Sequence, residues 1–283
     1  MKSMLLRGFL FGAVAVQAFA AAPRIFTCKV GSFEVHMLEE SSGPGRPSIL
    51  LGISPADLEK YAPGGNFQSE VNTFLIQGGG RTVVVDTGFG GAIFESMKKL
   101  GVNPADVDAV LITHMHGDHI GGLQKDGRAL FPKAKVYVAR QERDYWLGAR
   151  NDPGARAALA PYRGRVETFA PGKFDANPPE LLPGIRAIAA FGHTPGHTLF
   201  LLESGGQKFL VWGDLMHAEK IQFPLPSISV SYDTDPEAAA ASRLEVLRYV
   251  AGNNISVGGM HLIFPAVGTV RAAGEGYAFS AAE

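Results

Sequence analysis

Short runs of β-branched and aromatic residues recur along the chain and predict strands that are half or fully buried. Polar or glycine-containing stretches separate these runs, as expected for strands joined by loops. The predicted strands are Thr82–Asp86, Ala109–Thr113, Lys135–Ala139, Ile185–Phe191, Leu199–Glu203, Phe209–Gly213 and Ile255–Gly258.

Two stretches between the predicted strands have helical spacing instead. Ile93, Met97 and Leu100 recur at positions i, i+4 and i+7, the period of one helix face. Asp235 followed by Pro236 is typical of a helix start, with Asp as the N-cap and Pro at the first helical position. Strands mixed with helices predict an α/β layered fold, and we expect one domain over residues 21–283.

Three segments depart from this pattern. Residues 40–70 are rich in Gly and Pro and predict a flap, and the looser residues 140–183 predict an insertion over one face. Residues 1–20 have positive charges at Lys2 and Arg7, then an apolar run that ends in Ala18-Phe19-Ala20. This layout predicts a signal peptide cleaved near Ala20, and hence a secreted or periplasmic protein. A membrane anchor is the weaker alternative, because the run is shorter than the about 20 apolar residues that span a bilayer.

Polar side chains that bind metals follow five of the predicted strands. In α/β proteins the carboxyl ends of strands are where ligands bind, so residues far apart in sequence would meet at one edge. The residues are Asp86, His114, His116, Asp118, His119, His193, Asp214 and His261. Any of the last three alone would be an ordinary loop or core residue, and their shared position after strands is what makes them candidates.

The densest motif is His114-x-His116-x-Asp118-His119. In an extended turn His114 and His116 point the same way and can reach one cation, and Asp118 and His119 can take a second. Imidazole with carboxylate favours Zn²⁺, and Fe²⁺ and Mn²⁺ are the alternatives. A chance cluster would be rare at this density.

Composition narrows the function further. The formal net charge is −1, which argues against nucleic acid as a partner, since no basic excess exists to neutralise phosphates. The single cysteine excludes internal disulfides and cysteine-based zinc sites. We expect a small-molecule substrate, and no membrane association once the signal peptide is removed.

These motifs together resemble the metallo-β-lactamase fold superfamily. The resemblance rests on the histidine motif followed by Gly121-Gly122, on Asp86-Thr87-Gly88, on Gly192-His193-Thr194-Pro195-Gly196-His197 and on Trp212-Gly213-Asp214. It runs from about residue 70 to the C-terminus. It implies an αββα sandwich with two metal ions, Zn²⁺ being favoured, at one edge of the two sheets.

The resemblance also implies roles for individual residues. His114, His116 and His193 would hold one ion, Asp118, His119 and His261 the other, and Asp214 would bridge both. Asp86 and His197 would support the ligands from behind rather than bind metal. Two ions about 3.5–4 Å apart would share a bridging hydroxide that attacks the substrate.

The C-terminal third contains Gly213-Asp214-Leu215-Met216-His217, Ile221-Gln222-Phe223-Pro224, Asp233-Thr234-Asp235-Pro236 and Gly259-Met260-His261-Leu262-Ile263-Phe264-Pro265. These motifs resemble the methyl parathion hydrolase branch and its lactonase relatives, which are exported enzymes that often form homodimers. His116 stands where flavodiiron oxygen reductases have Glu, which favours hydrolysis. In lactonases of the superfamily a Tyr lies three residues after the bridging Asp, and here His217 has that offset. His217 is therefore a candidate proton or hydrogen-bond donor, with a solvent-facing loop residue as the alternative. Trp146 resembles an aromatic residue of the leaving-group pocket, with a core tryptophan as the alternative.

We expect a hydrolase that acts on a lactone or ester carbonyl, including acyl-homoserine lactones. Phosphotriester hydrolysis is the main alternative, because the same metal centre serves both reactions. A β-lactamase and a glyoxalase II-like thioesterase are weaker alternatives. A metal-binding protein without turnover is the alternative from a different class, and an incomplete ligand set would have favoured it.

Overall fold

Three consecutive valines show how the apolar runs are used in the fold. Val83 faces the space between two β-sheets, Val84 faces the helices on the outside, and Val85 faces inward again; all three are buried. A strand covered on both faces has no solvent side, so its sequence is a continuous apolar run rather than an alternating one.

The computed structural model describes residues 22–283, so the predicted signal peptide lies outside the described residues. Within this range, no helix is both long enough and apolar enough to cross a bilayer. The strands in chain order are β1 (Ile25–Val30), β2 (Phe33–Pro44), β3 (Leu50–Leu51), β4 (Gln68–Gly78), β5 (Arg81–Val85), β6 (Ala109–Leu111), β7 (Gln124–Lys125), β8 (Arg128–Ala129), β9 (Lys135–Ala139), β10 (Val166–Phe169), β11 (Glu180–Leu182), β12 (Ile185–Ala189), β13 (Thr198–Ser204), β14 (Gln207–Val211), β15 (Ser229–Val230), β16 (Ser256–Gly258), β17 (Val267–Ala273) and β18 (Gly276–Ala281).

The helices lie mainly outside the two sheets. They are α1 (Pro55–Tyr61), α2 (Ala92–Lys99), α3 (Gly117–Ile120), α4 (Arg140–Asp144), α5 (Pro153–Leu159), α6 (Glu219–Gln222) and α7 (Pro236–Asn253). In α7 the Asp235 side chain accepts a hydrogen bond from the backbone N–H of Ala238, Pro236 is at the first turn, and Asn254 ends the helix in the left-handed conformation. This start is the one predicted from the sequence.

Two seven-stranded sheets face each other, in the orders β1-β2-β4-β5-β6-β9-β10 and β11-β12-β13-β14-β16-β17-β18. Apolar residues of both inner faces form one core, to which α7 adds Val246, Leu247 and Val250. A second core lies between the outer face of the first sheet and the helices α2 and α5. The layers are therefore helix, sheet, sheet and helix, which confirms the predicted αββα sandwich.

The structure corrects two of the sequence-based interpretations. Residues 140–183 are more than an insertion over one face, because they contain β10 and β11, the edge strands of the first and second sheets. Residues 40–70 include the end of β2 and the start of β4, so only the part between them forms a flap. That flap has a small core of its own with residues 218–230, made of Leu50, Ala62, Phe67, Ala218, Ile221, Ile228 and Val230.

One buried arginine joins α7 to the loops that follow β14. Arg243 is 1% exposed, and its guanidinium donates hydrogen bonds to the carbonyl oxygens of Leu215, Pro226 and Ile228. The Ile228 carbonyl has a second donor in the side-chain amide of Gln222. Arg243 therefore holds in place the segment that carries Asp214 and His217.

Replacing Arg243 should destabilise the fold strongly. Arg243→Met leaves the Leu215 and Pro226 carbonyls without their guanidinium donor, and a buried acceptor without a partner costs about 1–3 kcal/mol. We expect the free energy of unfolding to fall by about 3 kcal/mol, measured by urea denaturation. Arg248→Met, at an exposed position of the same helix, should change it by less than about 0.5 kcal/mol. Equal effects of the two substitutions would contradict this role of Arg243.

Candidate metal centre

The strand ends meet at one edge of the sandwich, as the sequence predicts. β5 and β6 run parallel in the first sheet, and β14 and β16 run parallel in the second. β12 has the same direction as β14, because each pairs antiparallel with β13. The loops after these strands bring together all seven candidate ligands: His114, His116, Asp118, His119, His193, Asp214 and His261.

Three imidazoles form the first group. Nε2 of His114 lies 2.9 Å from Nδ1 of His116 and 3.1 Å from Nε2 of His193. Nδ1 of His116 lies 3.1 Å from Nε2 of His193. Two nitrogens at about 2.0–2.1 Å from a tetrahedral zinc ion are roughly 3.3 Å apart, so these spacings suit one ion with three imidazole ligands.

Asp118, His119 and His261 form the second group. The Asp118 carboxylate lies 3.7 Å from Nε2 of His119 and 3.6 Å from Nε2 of His261. Asp214 lies between the two groups: its Oδ2 is 3.2 Å from Nε2 of His193 and 3.0 Å from Nε2 of His261, and its Oδ1 is 3.2 Å from Nε2 of His119. This position suits a carboxylate that bridges two ions.

Two buried polar atoms at the centre indicate whether a metal ion fits between the ligand groups. Nε2 of His119 and Oδ1 of Asp214 have no hydrogen-bond partner, although both are buried. Buried polar atoms are nearly always satisfied, so each exception needs an explanation. A divalent cation bound by both residues would supply the missing partner, and the donor set of imidazole and carboxylate is one that Zn²⁺ accepts. The residues therefore fit a metal centre.

A separate hydrogen bond orients most of the imidazoles. Nδ1 of His119 is 2.7 Å from Asp86, Nδ1 of His193 is 2.8 Å from Asp233, and Nδ1 of His261 is 2.6 Å from the backbone carbonyl of Glu70. Each contact leaves Nε2 directed at the centre. Metal-binding histidines in proteins are usually held in this way, through the nitrogen that does not bind the ion.

In the metal-free protein the imidazoles differ in pKa: some have a lowered pKa and others a raised one. Burial lowers the pKa of His116 to about 3, so the ring is neutral and its lone pair is free to coordinate. Burial lowers the pKa of His193 as well. The hydrogen bonds with Asp214 and Asp233 have the larger effect, and together they raise the pKa of that ring to about 9. Despite its burial, the surrounding imidazoles hold the pKa of the Asp214 carboxyl well below its usual range.

The two supporting residues predicted from the sequence lie behind the ligands. The Asp86 carboxylate accepts hydrogen bonds from the backbone and hydroxyl of Thr113 as well as contacting His119. His197 is 1% exposed; its Nδ1 bonds the Ala190 carbonyl and its Nε2 accepts the backbone N–H of Asp214. Both nitrogens of His197 are therefore occupied, which leaves it no free ligand atom.

The glycines that precede His193 and Asp214 are required by close packing of neighbouring groups against the backbone. Gly192 has φ +129, and a Cβ there would lie 2.1 Å from the backbone nitrogen of Ala239 in α7. Gly213 has φ +57, and a Cβ there would lie 2.5 Å from Nε2 of His197. The glycines permit close packing against α7 and His197, rather than the close approach of backbone to a metal.

His217 is buried beside the two groups and is not a solvent-facing loop residue. It is 4% exposed, its Nε2 lies 3.1 Å from Oδ2 of Asp214, and its ring stacks on that of His261 with centroids 4.8 Å apart. Asp214, His217 and His261 also form a group that could hold an ion. Burial lowers the pKa of His217 to about 4, so the ring is neutral near pH 7.

Trp146 is a buried residue that contacts the centre from the side. It is 4% exposed, and its ring meets that of His116 edge-on with centroids 5.3 Å apart. It lines a side crevice next to the main cleft, which His116 borders as well. Its position is that of the core tryptophan named as the alternative, and a role in substrate binding stays a prediction.

Glu142 is a supporting residue that the sequence reasoning missed. Its carboxylate is fully buried and accepts hydrogen bonds from the Met115 backbone, Nε1 of Trp146, the Thr194 hydroxyl and the Gly196 backbone. It therefore joins the loop of His114 and His116 to the turn of His193. One indication of its role is visible in the sequence: Glu142 lies four residues before Trp146, in the stretch that was interpreted as an insertion.

A cleft of about 580 Å³ opens onto the centre. Its walls come from the flap, from the loop after β5 and from the segment after β15. The lining includes the metal-centre residues His116, Asp118, Asp214, His217 and His261 together with Arg46, Ile49, Phe89 and Tyr232. The sequence reasoning missed these four wall residues because none of them has an imidazole or carboxylate side chain, the groups on which the prediction of the site was based.

Comparisons with known proteins agree with this architecture. A family model described as the metallo-beta-lactamase superfamily matches residues 67–254. "Metallo-beta-lactamase domain-containing protein 1" of Xenopus laevis is 31% identical over 228 residues, which cover 76% of this chain and 82% of that protein.

Two solved structures superpose over nearly the whole chain. One is a hydrolase, AbOPH, in the beta-lactamase superfamily, with TM-score 0.83, 28% identity and coverage of 92% of this chain and 97% of that one. The other is AidC, a dizinc quorum-quenching lactonase in complex with a product, with TM-score 0.83, 23% identity and coverage of 93% and 98%. The second likeness concerns the fold alone.

Glu142→Gln should weaken metal binding. The amide nitrogen of Gln would face N–H and O–H donors that now share a carboxylate, so the two ligand loops would lose their common anchor. Loss of such a supporting contact typically lowers metal affinity by about 10–100-fold. Competition with a chelator measures the affinity. The control is Glu167→Gln, at an exposed position of β10, which should bind metal as tightly as the wild type does. An unchanged metal affinity in Glu142→Gln would show that the Glu142 carboxylate does not hold the two loops.

Proposed function

Because the chain belongs to the metallo-β-lactamase superfamily and is a metal-dependent hydrolase, we propose that it uses two divalent ions to hydrolyse lactones or carboxylic esters, including acyl-homoserine lactones. Zn²⁺ is the ion proposed. The observation that carries the proposal is the convergence of seven ligand side chains in two groups that share Asp214. A protein that only bound a metal would not need an open cleft leading to a complete dinuclear centre.

The metal ions and the protein side chains have separate tasks. When bound, divalent ions polarise a carbonyl oxygen and make water a stronger nucleophile at neutral pH. Asp118, Asp214 and the imidazoles would hold the ions, while Asp86, Glu142 and Asp233 fix the direction of the ligands. The cleft walls, which include Ile49 and Phe89, would contact the rest of the substrate.

His217 is proposed to donate a hydrogen bond to the oxygen that becomes negative during the reaction. A neutral imidazole keeps one N–H that can donate, and burial favours this neutral form. The ring lines the cleft, and Nε2 is its nitrogen at the centre, 3.1 Å from Oδ2 of Asp214. Because a carboxylate oxygen only accepts, the single hydrogen of the neutral ring lies on Nε2, and it would turn from Asp214 to the substrate oxygen once that carboxylate binds metal.

The protein is further proposed to belong to the methyl parathion hydrolase and lactonase branch of the superfamily and to act outside the cytoplasm. The C-terminal motifs support kinship with methyl parathion hydrolase and the lactonases, and a lactonase, AidC, shares the fold. Phosphotriesters are proposed as secondary substrates. The pattern of residues 1–20 supports export, and the mass of the mature protein would show whether cleavage occurs near Ala20.

A substrate panel with metal analysis tests the proposed function. Zinc-loaded protein should contain about two ions per chain and should hydrolyse lactones or aryl esters with a higher kcat/KM than a phosphotriester or a cephalosporin. Asp214→Ala should lose metal and nearly all activity, because one carboxylate serves both ions. A stoichiometry of one would contradict the bridged centre, and faster turnover of the phosphotriester would favour that alternative.

His217→Ala should reduce turnover without changing metal content. A positioned donor contributes roughly 10²–10⁴-fold to rate, and we expect the loss mainly in kcat. A lactone should lose more than an aryl ester, because its alkoxide leaves poorly and needs the donor. The comparison is made at equal metal loading. A drop in metal content would instead identify His217 as a ligand, which the group Asp214, His217 and His261 permits.

A further inference from the structure

The mouth of the cleft carries a pair of side chains, Arg46 and Tyr232, that offers mainly hydrogen-bond donors. Nη2 of Arg46 donates to the phenol oxygen of Tyr232 at 2.7 Å. Because that oxygen accepts from Arg46, the phenol hydrogen is directed at another group. The guanidinium keeps further N–H groups, and in the part of the chain that the structure describes it has no carboxylate partner.

This pair faces the reaction site from a short distance. Both residues line the same cleft as Asp118, Asp214 and His261. The ring of Tyr232 lies 6.0 Å from that of His217, measured between centroids. A molecule whose carbonyl lies at the centre therefore extends past Tyr232 on its way out of the cleft.

The pair is held in place by backbone hydrogen bonds on both sides. Arg46 lies just before β3, Tyr232 just after β15, and these strands pair with each other. The Ser231 N–H donates to the Ile49 carbonyl at 2.7 Å, which extends this pairing. The same segment carries Asp233, which orients His193. These bonds hold the backbone, and the exposed guanidinium itself is held by its hydrogen bond to Tyr232. A guanidinium that already has this contact loses less side-chain freedom on binding a ligand than one without any partner.

Apolar surface lies beside this polar pair. Phe89 and Ile49 also line the cleft, and the side chain of Phe89 is 59% exposed. Such a surface suits a hydrocarbon spacer between the scissile carbonyl and a polar end group.

We propose that Arg46 and Tyr232 form a subsite for a carboxylate at the far end of the substrate's acyl chain. The inference rests on the proposed function and names the substrate class: esters or lactones whose acyl part ends in a carboxylate. A guanidinium matches the two oxygens of a carboxylate, and the Tyr232 hydroxyl adds a third donor. Arg46 and Tyr232 are specificity residues in this scheme and take no part in bond cleavage.

Matched substrates test the subsite. The 4-nitrophenyl monoesters of linear dicarboxylic acids of increasing length are compared with the half-amides of the same acids and with simple alkanoate esters. For the best chain length, Arg46→Met should lower the ratio of kcat/KM for the carboxylate ester to that for the alkanoate by about 10-fold, mainly through KM. Tyr232→Phe should lower it less. Arg248→Met, which removes an exposed arginine from α7, should leave the ratio unchanged.

Other results would overturn the proposal. An equal loss on the half-amides would show recognition of a neutral acceptor instead of an anion. An unchanged ratio at every chain length, or an equal loss in Arg248→Met, would remove the subsite altogether. If the wild type hydrolyses none of these esters, the proposed function fails. The subsite is then decided by calorimetric titration of the zinc-loaded protein with the free dicarboxylic acid, whose Kd should rise about 10-fold in Arg46→Met and not in Arg248→Met.

Discussion

The Asp214 carboxylate is charged in a place that water barely reaches, and the edge of the sandwich is organised around it. It is 3% exposed, and a buried charge is expensive unless it is paired and hydrogen-bonded. Imidazoles from four loops lie within 3.5 Å of its two oxygens. Gly213 and His197 fix its backbone, and Arg243 fixes the loop after it. The two sheets, whose loops supply these groups, must therefore dock correctly before the charge is compensated.

The layered fold was predictable from the sequence because its central strands are covered on both faces. Such strands, for example β5 and β9, have compact runs rich in β-branched residues. The long hairpin strands β2 and β4 were missed, because glycine, proline and charged residues interrupt their pattern. The edge strands β10 and β11 were missed for a related reason: an edge strand has few apolar positions, so its sequence resembles that of a loop.

The candidate ligands were predictable because each follows a strand, and strand ends meet in space. Their supports were not, since a hydrogen bond between distant residues leaves no local pattern. Glu142 lies 52 positions before Thr194 in the chain, and Asp233 lies 40 positions after His193. The Glu70 contact with His261 uses a backbone carbonyl, which every residue has. The cleft walls were equally invisible, because Arg46 and Tyr232 become neighbours only through the pairing of β3 with β15.

The small core under the flap has a consequence for redesign of the enzyme. Leu50, Ala62 and Phe67 come from the flap, whereas Ile221 and Val230 come from the segment after Asp214. Neither half is a complete unit, so exchanging the flap alone with that of a relative would leave mismatched apolar surfaces. The two segments form one exchangeable module with its own small core, and Phe223 of the second segment also packs in the core between the sheets. Grafting them together would carry over the walls of the cleft while the metal-holding loops keep their own supports.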